Sequence, residues 1–359
     1  MLIKEVGGKN FRNLFPFKIY PHEKMNVICG KNAQGKTNLL EAIWLFTGAK
    51  SFRTNKDTEL VNKEENKSQI NIHFLSENIE KEAEIIIEQR RKAKFNEKKL
   101  SSASHLAGNF CAIVFSPDDL NLISGAADKR RRFLDVAISQ IYPKYLEILK
   151  KYVRALSQRN FLLKEIKTGK YQKDMLVPFE DELCIYGSNI IKYRIRYLEL
   201  AQEFITQIYN GISSNNEDFK LEYLAVCSPE KLKEKLILSR NEDILRGFTG
   251  VGPHRDDIDF KINGLSVRNY GSQGQKRSVA LSLKLSEAEV LKKVTGEYPI
   301  ALLDDVMSEL DPIRQNYVLN HISKLQVFLT CCDPANIKNL KKGNIYEIEN
   351  GNILLKEEK

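Results

Sequence analysis

The chain has 359 residues, 42% apolar and 29% charged, a balance that suits a folded globular protein and argues against disorder. No apolar run approaches the roughly 20 residues that span a bilayer, and Met1–Val6 is too short and too charged for a secretory segment. A cytoplasmic protein of about two domains is expected, with no membrane partner, and its formal charge of +9 points instead to a polyanion.

In chain order, the first clear element is the apolar strand Met25–Cys29, which ends at Gly30. Gly30-Lys31-Asn32-Ala33-Gln34-Gly35-Lys36-Thr37 then forms a complete Walker A phosphate loop. Glycines let such a backbone close on phosphates, and the N–H groups and helix N-terminus face the negative charge. Lys36 is expected to reach the β- and γ-phosphates of ATP and the Thr37 hydroxyl to bind Mg²⁺. Asn38 completes the expected nucleotide-contacting set. A helix from Lys36 to Gly48 follows, with Leu39, Leu40, Ile43, Trp44 and Phe46 as its apolar face. Ile70–Phe74 and Ala83–Ile87 read as strands of one antiparallel sheet. Cys111–Phe115 is another strand, ended by Ser116-Pro117-Asp118.

Period and composition change after Pro117. From Arg130 to about Tyr209, apolar residues recur at helical spacing: Ile141, Tyr145, Ile148, Leu149 and Tyr152, then Leu183, Tyr186, Ile190, Tyr193 and Tyr197. The turn Lys167–Lys170 separates the two runs. The pattern predicts a helical arm, residues 117–210, inserted into an α/β domain made of 1–116 and 211–359. The aromatic stripes read as core rather than as stacking platforms for bases. Between Lys129 and Lys173 lie 13 basic and 3 acidic residues, so this segment carries the whole positive excess and suits a nucleic-acid partner. Within it Arg130, Arg131 and Arg132 are candidates for DNA phosphates, or for acids inside the domain.

Gly211–Asn216 reads as a loop, and strands return at Leu221–Val226 and Ile258–Ile262. Ser272-Gln273-Gly274-Gln275 opens a helix that runs to Leu291. The serine hydroxyl and the helix-terminal N–H groups around Gly274 and Gln275 suit a γ-phosphate, by the same helix-terminus physics. In an ABC-type arrangement this turn does not reach its own Lys36. It therefore acts in trans, and ATP becomes a switch for homodimer formation. The strand Ile300–Leu303 ends in Asp304-Asp305. Asp304 suits a water-mediated Mg²⁺ contact, and Asp305 suits polarising the attacking water. The catalytic set is then Lys36 and Asp305 in cis, with Ser272 in trans. Ser308-Glu309-Leu310-Asp311 resembles a D-loop. The strand Val327–Thr330 leads into Cys331-Cys332-Asp333 without a switch histidine, and no Q-loop glutamine follows Phe115, so hydrolysis is expected to be slow. None of the six cysteines forms a C-x-x-C pair; they read as reduced thiols.

Asn10–Leu14 resembles the N-terminal hairpin of SMC-type ATPase heads. Lys50–Thr54, Ser116–Leu120, Arg130–Asp135, Gly252–Asp257 and Gln273–Arg277 together resemble signatures of the RecF family, over nearly the whole chain. The resemblance implies an ABC/SMC-like ATPase head with a short arm and ATP-dependent dimerisation. It also implies binding of double-stranded DNA or duplex–single-strand junctions, slow DNA-stimulated hydrolysis, and work with RecR and RecO in loading RecA at gaps. A transporter nucleotide-binding subunit is one competing reading, disfavoured by the basic arm between phosphate loop and signature. A DNA clamp that holds ATP without hydrolysing it is another, disfavoured by the Asp304-Asp305 pair.

Overall fold

Along the chain, short strands give way to long helices and then return. The computed structural model describes residues 1–213, 217–332 and 342–358. It divides into two units, Met1–Leu120 with Leu281–Lys359, and Asn121–Ala280.

The first unit opens with β1 (Leu2–Lys9), β2 (Phe17–Ile19), β3 (Met25–Cys29) and helix α1 (Lys36–Trp44). β4 (Ser68–Ser76), β5 (Ile79–Ile87), β6 (Arg91–Phe95), β7 (Lys98–Lys99) and β8 (Ala112–Phe115) follow. One sheet is antiparallel, in the order β2-β1-β4-β5-β6-β7. Burial alternates along β4 and β5, as a half-buried strand requires. The expected pairing of Ile70–Phe74 with Ala83–Ile87 is present, in the register Ile72 to Ala83. Two-residue turns with positive φ at both positions, Glu77-Asn78 and Asn96-Glu97, close the β4–β5 and β6–β7 hairpins in the form that matches strand twist.

The second unit holds α2 (Ala127–Ile141), α3 (Pro143–Lys167) and α4 (Val177–Ser213). Next come β9 (Phe219–Leu224), α5 (Leu232–Leu238), α6 (Arg240–Arg246), β10 (Asp257–Ile262), β11 (Leu265–Ser266) and α7 (Val267–Tyr270). The aromatic stripes are core: Tyr145, Tyr152 and Tyr197 are buried, and Tyr193 packs its ring against Tyr142 and Tyr145. The helical unit extends past residue 210. β9 pairs antiparallel with β10 and β10 with β11, and this small sheet belongs with the helices rather than with the α/β unit. The expected loop 211–216 is helical through Ser213; residues 214–216 lie outside the described residues.

α8 (Gln273–Thr295) leads back into the first unit, followed by β12 (Ile300–Leu303), α9 (Pro312–Ile322), β13 (Val327–Cys331), β14 (Asn344–Glu349) and β15 (Asn352–Glu358). The central sheet runs β15-β14-β3-β13-β12-β8. β8 and β12 are buried at every residue, and β3 and β13 nearly so. Parallel strands covered on both faces need such unbroken apolar runs. The carboxyl ends of β3, β12 and β13 lie side by side, where open parallel sheets place their ligand sites.

Candidate nucleotide site

Gly30 follows β3 with φ 145°, and a Cβ there would lie 2.4 Å from the Ile348 carbonyl oxygen. Gly35 caps α1 at φ 119°, and its Cβ would meet Leu14 Cδ2 at 2.7 Å. Side chains are excluded at both positions, so the backbone between them is free to face an anion. α1 has no acidic residue in its first turn and no side-chain cap, which leaves its N-terminal dipole uncompensated. Lys36 lies across the loop. Its ammonium donates to the Gly30 carbonyl at 2.7 Å and the Lys31 carbonyl at 3.4 Å.

The loop is braced from outside. Asn13 donates to the Ala33 and Gln34 carbonyls, each at 3.2 Å, and accepts from Asn38 at 2.6 Å. Gln34 accepts from the Asn350 N–H. Arg53 donates to Asn38 at 2.6 Å, and Arg12 holds the fully buried Glu41 through two bonds of 2.8 Å. Arg12 thereby has a structural role, and Arg53 stands beside the loop.

Across the sheet, the Thr37 hydroxyl donates to Asp304 Oδ1 at 2.8 Å, and Thr330 donates to the same oxygen at 3.1 Å. Burial pushes the Asp304 carboxyl up from its usual range, partly offset by these two hydroxyls. Asp305 takes a left-handed backbone, φ 49°, and its N–H donates to Thr330 at 2.8 Å. A hydroxyl joined to a carboxylate is the hard-oxygen donor pair Mg²⁺ takes alongside phosphates, so the residues fit that ion. Among the described residues, no cluster of three or more His, Cys, Asp or Glu could hold a metal.

Ser272 is exposed and stands at the N-terminus of α8. Its hydroxyl accepts from the Gln275 N–H at 3.1 Å, while Gln275 Oε1 accepts from the Ser272 N–H at 2.9 Å. This is a capping box. Gln275 also donates to Glu217 at 3.0 Å. The structure thus brings Gly30 to Asn38 together with Asp304 and Asp305 in one unit, and builds the signature turn on the other. Asp333 lies outside the described residues. Asn13, Glu41 and Thr330 are site residues the sequence reading missed. Their signals are long-range partners, not local motifs.

The three arginines do not share one role. Arg130 is 1% exposed and forks onto Asp257 at 2.7 and 3.0 Å while donating to three carbonyls. The expectation that it meets DNA phosphates is corrected: its guanidinium is consumed inside the unit. Arg131 donates to the Asp256 carbonyl at 2.8 Å, and Arg132 is exposed. Arg159, counted in the basic segment, is also buried, pairing with Asp243 and Glu180.

His254 sits in local hydrogen bonds. Nε2 donates to the Thr249 carbonyl at 3.0 Å, which leaves Nδ1 to accept from Tyr152 at 2.6 Å. Burial, helped by Arg255 and Arg131, lowers its pKa to about 4. The unfolded chain therefore binds the extra proton first. Stability should fall as pH drops from about 6.5 towards 4, by up to about 3 kcal/mol from this group. Urea unfolding across that range should show a smaller loss in His254→Gln. Equal losses would rule out the neutral, buried imidazole.

A phosphate loop tied through a threonine to an acidic strand end, with an S-x-G-Q capped helix, defines an ABC-type P-loop ATPase head of the SMC class. The RecF/RecN/SMC N terminal domain matches residues 2–350. The chain belongs to the RecF family of DNA replication and repair proteins. It is 40% identical over 367 residues to the DNA replication and repair protein RecF of Bacillus cytotoxicus, with 98% of each chain covered. The Bacillus cereus RecF is 40% identical over 368 residues, with the same coverage. A solved structure of the recombination mediator protein RecF-ATP in the RecFOR pathway matches with TM-score 0.91 and 39% identity, over 99% of this chain and 98% of that one. The Smc head domain of Pyrococcus furiosus, at TM-score 0.55 and 17% identity over 99% and 96% of the two chains, shares the fold. Family membership sets the transporter reading aside.

Proposed function

We propose that the chain is an ATP-driven, DNA-binding dimer of recombinational repair in the cytoplasm. It binds double-stranded DNA and duplex–single-strand junctions, hydrolyses ATP slowly, and helps RecO and RecR load RecA at gaps. The observation that carries the nucleotide reading is the bond from Thr37 to Asp304, which joins the phosphate loop to the acidic strand end across 267 positions of sequence.

On this reading Lys36 exchanges its carbonyl partners for the β- and γ-phosphates. Thr37 and Asp304 hold Mg²⁺, which supplies charge neutralisation for the phosphate oxygens. Asp305 orients the attacking water and takes its proton. Ser272 and the first N–H groups of α8 receive the γ-phosphate of a partner subunit, so the signature turn completes the site only in the dimer. No histidine follows β13 through Cys332, and Asp305 acts without that switch, which supports slow turnover. Sizing the protein with no nucleotide, ADP and a slowly hydrolysed ATP analogue, each with and without duplex DNA, tests the scheme. A monomer under every condition rejects it.

The DNA surface is placed on exposed arm bases instead of Arg130. Lys144, Lys151 and Arg154 of α3 are exposed. Changing all three to Gln should reduce the slope of log affinity against log salt by roughly 0.9 for each phosphate the variant no longer neutralises. Arg130→Gln should instead destabilise the unit by about 3–5 kcal/mol, because Asp257 loses its forked partner. An unchanged slope in the triple variant would move the DNA surface elsewhere.

A further inference from the structure

The side chain that shapes the signature turn is itself held. In the capping box at the start of α8, Gln275 Oε1 accepts from the Ser272 N–H at 2.9 Å, and Gln275 Nε2 donates to Glu217 Oε1 at 3.0 Å. An ionised carboxylate accepts hydrogen bonds and cannot donate them. The Gln275 amide therefore has one orientation that satisfies both neighbours, nitrogen toward Glu217 and oxygen toward Ser272. Turned over, it would set its nitrogen against the Ser272 N–H and its oxygen against a carboxylate oxygen.

Glu217 is fixed from the other side. Tyr209, fully buried in the last turns of α4, donates its hydroxyl to Glu217 Oε2. The Tyr209 ring stacks on Phe219 with centroids 5.1 Å apart, and Phe219 opens β9 in register with Ile262 of β10. Next to the carboxylate, the Asp218 N–H donates to Asn263 Oδ1 and the Asp218 carbonyl accepts from the Asn263 N–H, both at 2.9 Å. Glu217 thus stands on α4 and on the small sheet, and reaches the turn only through Gln275. That hold bears on Ser272. The serine oxygen accepts from the Gln275 N–H at 3.1 Å. A hydroxyl has one proton and two lone pairs, so accepting there leaves the proton to be donated outward.

We propose that Glu217 is a positioning residue for the signature turn. Through Gln275 it sets the direction in which Ser272 donates to the γ-phosphate of a partner subunit, and through Tyr209 it ties that turn to the arm helix α4. The inference rests on the trans reading of Ser272 given above. Glu217 does not meet the phosphate itself, since its charge would repel one. Its contribution is order in advance: an amide already held need not be frozen when the dimer forms. The effect therefore falls on dimer formation and not on the phosphate loop of the same chain.

The test uses the full chain and reads two affinities. A fluorescent ATP analogue titrates the monomer at low protein concentration, and sedimentation with a slowly hydrolysed ATP analogue measures the dimer. Glu217→Leu removes both acceptors at similar size. It is expected to keep the monomer's affinity for nucleotide and to weaken the dimer roughly tenfold or more, the loss of one hydrogen bond to a charged group. Glu217→Gln is expected to restore most of the dimer, because its amide oxygen can accept from Gln275 and its amide nitrogen can donate to Tyr209. In a Gln275→Ala background Glu217→Leu should cost nothing further, because the group it acts through is gone. Parent-level dimerisation of a folded Glu217→Leu overturns the inference. So does a glutamine variant as poor as the leucine one, or a full additional loss in the Gln275→Ala background. If a thermal melt shows Glu217→Leu unfolded, Tyr209→Phe decides, since it keeps the ring on Phe219 and unties the carboxylate: a weaker dimer supports the inference and a parent-level dimer overturns it. A parent chain that stays monomeric with the analogue rejects the trans reading and this inference with it. A parent that dimerises beside variants that dimerise equally rejects the part given to Glu217 alone.

Discussion

Lys36→Ala is expected to lose tight nucleotide binding while keeping its fold. The ammonium is the cation that the loop turns inward; its present partners are the Gly30 and Lys31 carbonyls and the Cys332 sulfur. In the nucleotide complex it would make charge-assisted bonds to two phosphates. Each such bond contributes about 1.5–3 kcal/mol, so the loss should reach roughly 100-fold or more in affinity. ATP-dependent association with DNA should disappear with it. The fold should survive, because α1 buries Leu39, Leu40, Ile43 and Trp44 independently of the lysine. Titration with a fluorescent ATP analogue, beside a thermal melt, checks both halves. Unchanged affinity in a folded variant would remove Lys36 from the site.

How much of this was legible depends on how local each feature is. The phosphate loop, its preceding strand and its helix are adjacent in sequence, so β3, Gly30 to Thr37 and α1 could be read directly. The acidic strand was legible because an apolar run ending in Asp304-Asp305 is a local pattern, although its bond to Thr37 could only be inferred. The edge pair β14 and β15 was missed despite a usable signal. Asn350-Gly351 lies between Ile345–Ile348 and Ile353–Leu355, and it forms a turn with positive φ at both residues, the strongest short hairpin signature.

The boundary of the second unit was illegible for a different reason. Strand-like sequence from Leu221 to Ile262 reads as a return to the α/β unit. It stays with the helices because Asp257 at the start of β10 accepts from Arg130 of α2 and from Arg268 of α7. A charge run such as Arg130-Arg131-Arg132 shows net charge but not which member turns inward. Only the carboxylate at position 257 decides that. Likewise Glu41, placed by helical spacing within an apolar stretch, is what fixes Arg12.

Ser272→Arg and Asp305→Asn should have opposite effects on the ATP-bound dimer. Ser272 is exposed, and losing its capping box costs about 0.5–2 kcal/mol, too little to unfold α8, whose interior from Ser278 onward is largely buried. The monomer should therefore bind ATP nearly as before, since its own phosphate loop is untouched. On the proposed trans arrangement the arginine places bulk where the partner's γ-phosphate would dock, so the ATP-induced dimer should not form. Asp305 sits at φ 49°, and asparagine is among the few side chains that accept that conformation. Asp305→Asn should keep the turn and the bond from the backbone N–H to Thr330 while removing the carboxylate proposed to take the proton. ATP-bound dimers should then accumulate and dissociate slowly. A ligand shifts an equilibrium only through different affinities for its two states, and a nucleotide gripped by two subunits provides that difference. Sedimentation with ATP, together with a turnover assay, separates the cases. Dimerisation of Ser272→Arg at the parent level, or ATP turnover by Asp305→Asn at the parent rate, would rule out trans completion of the site or the catalytic part given to Asp305.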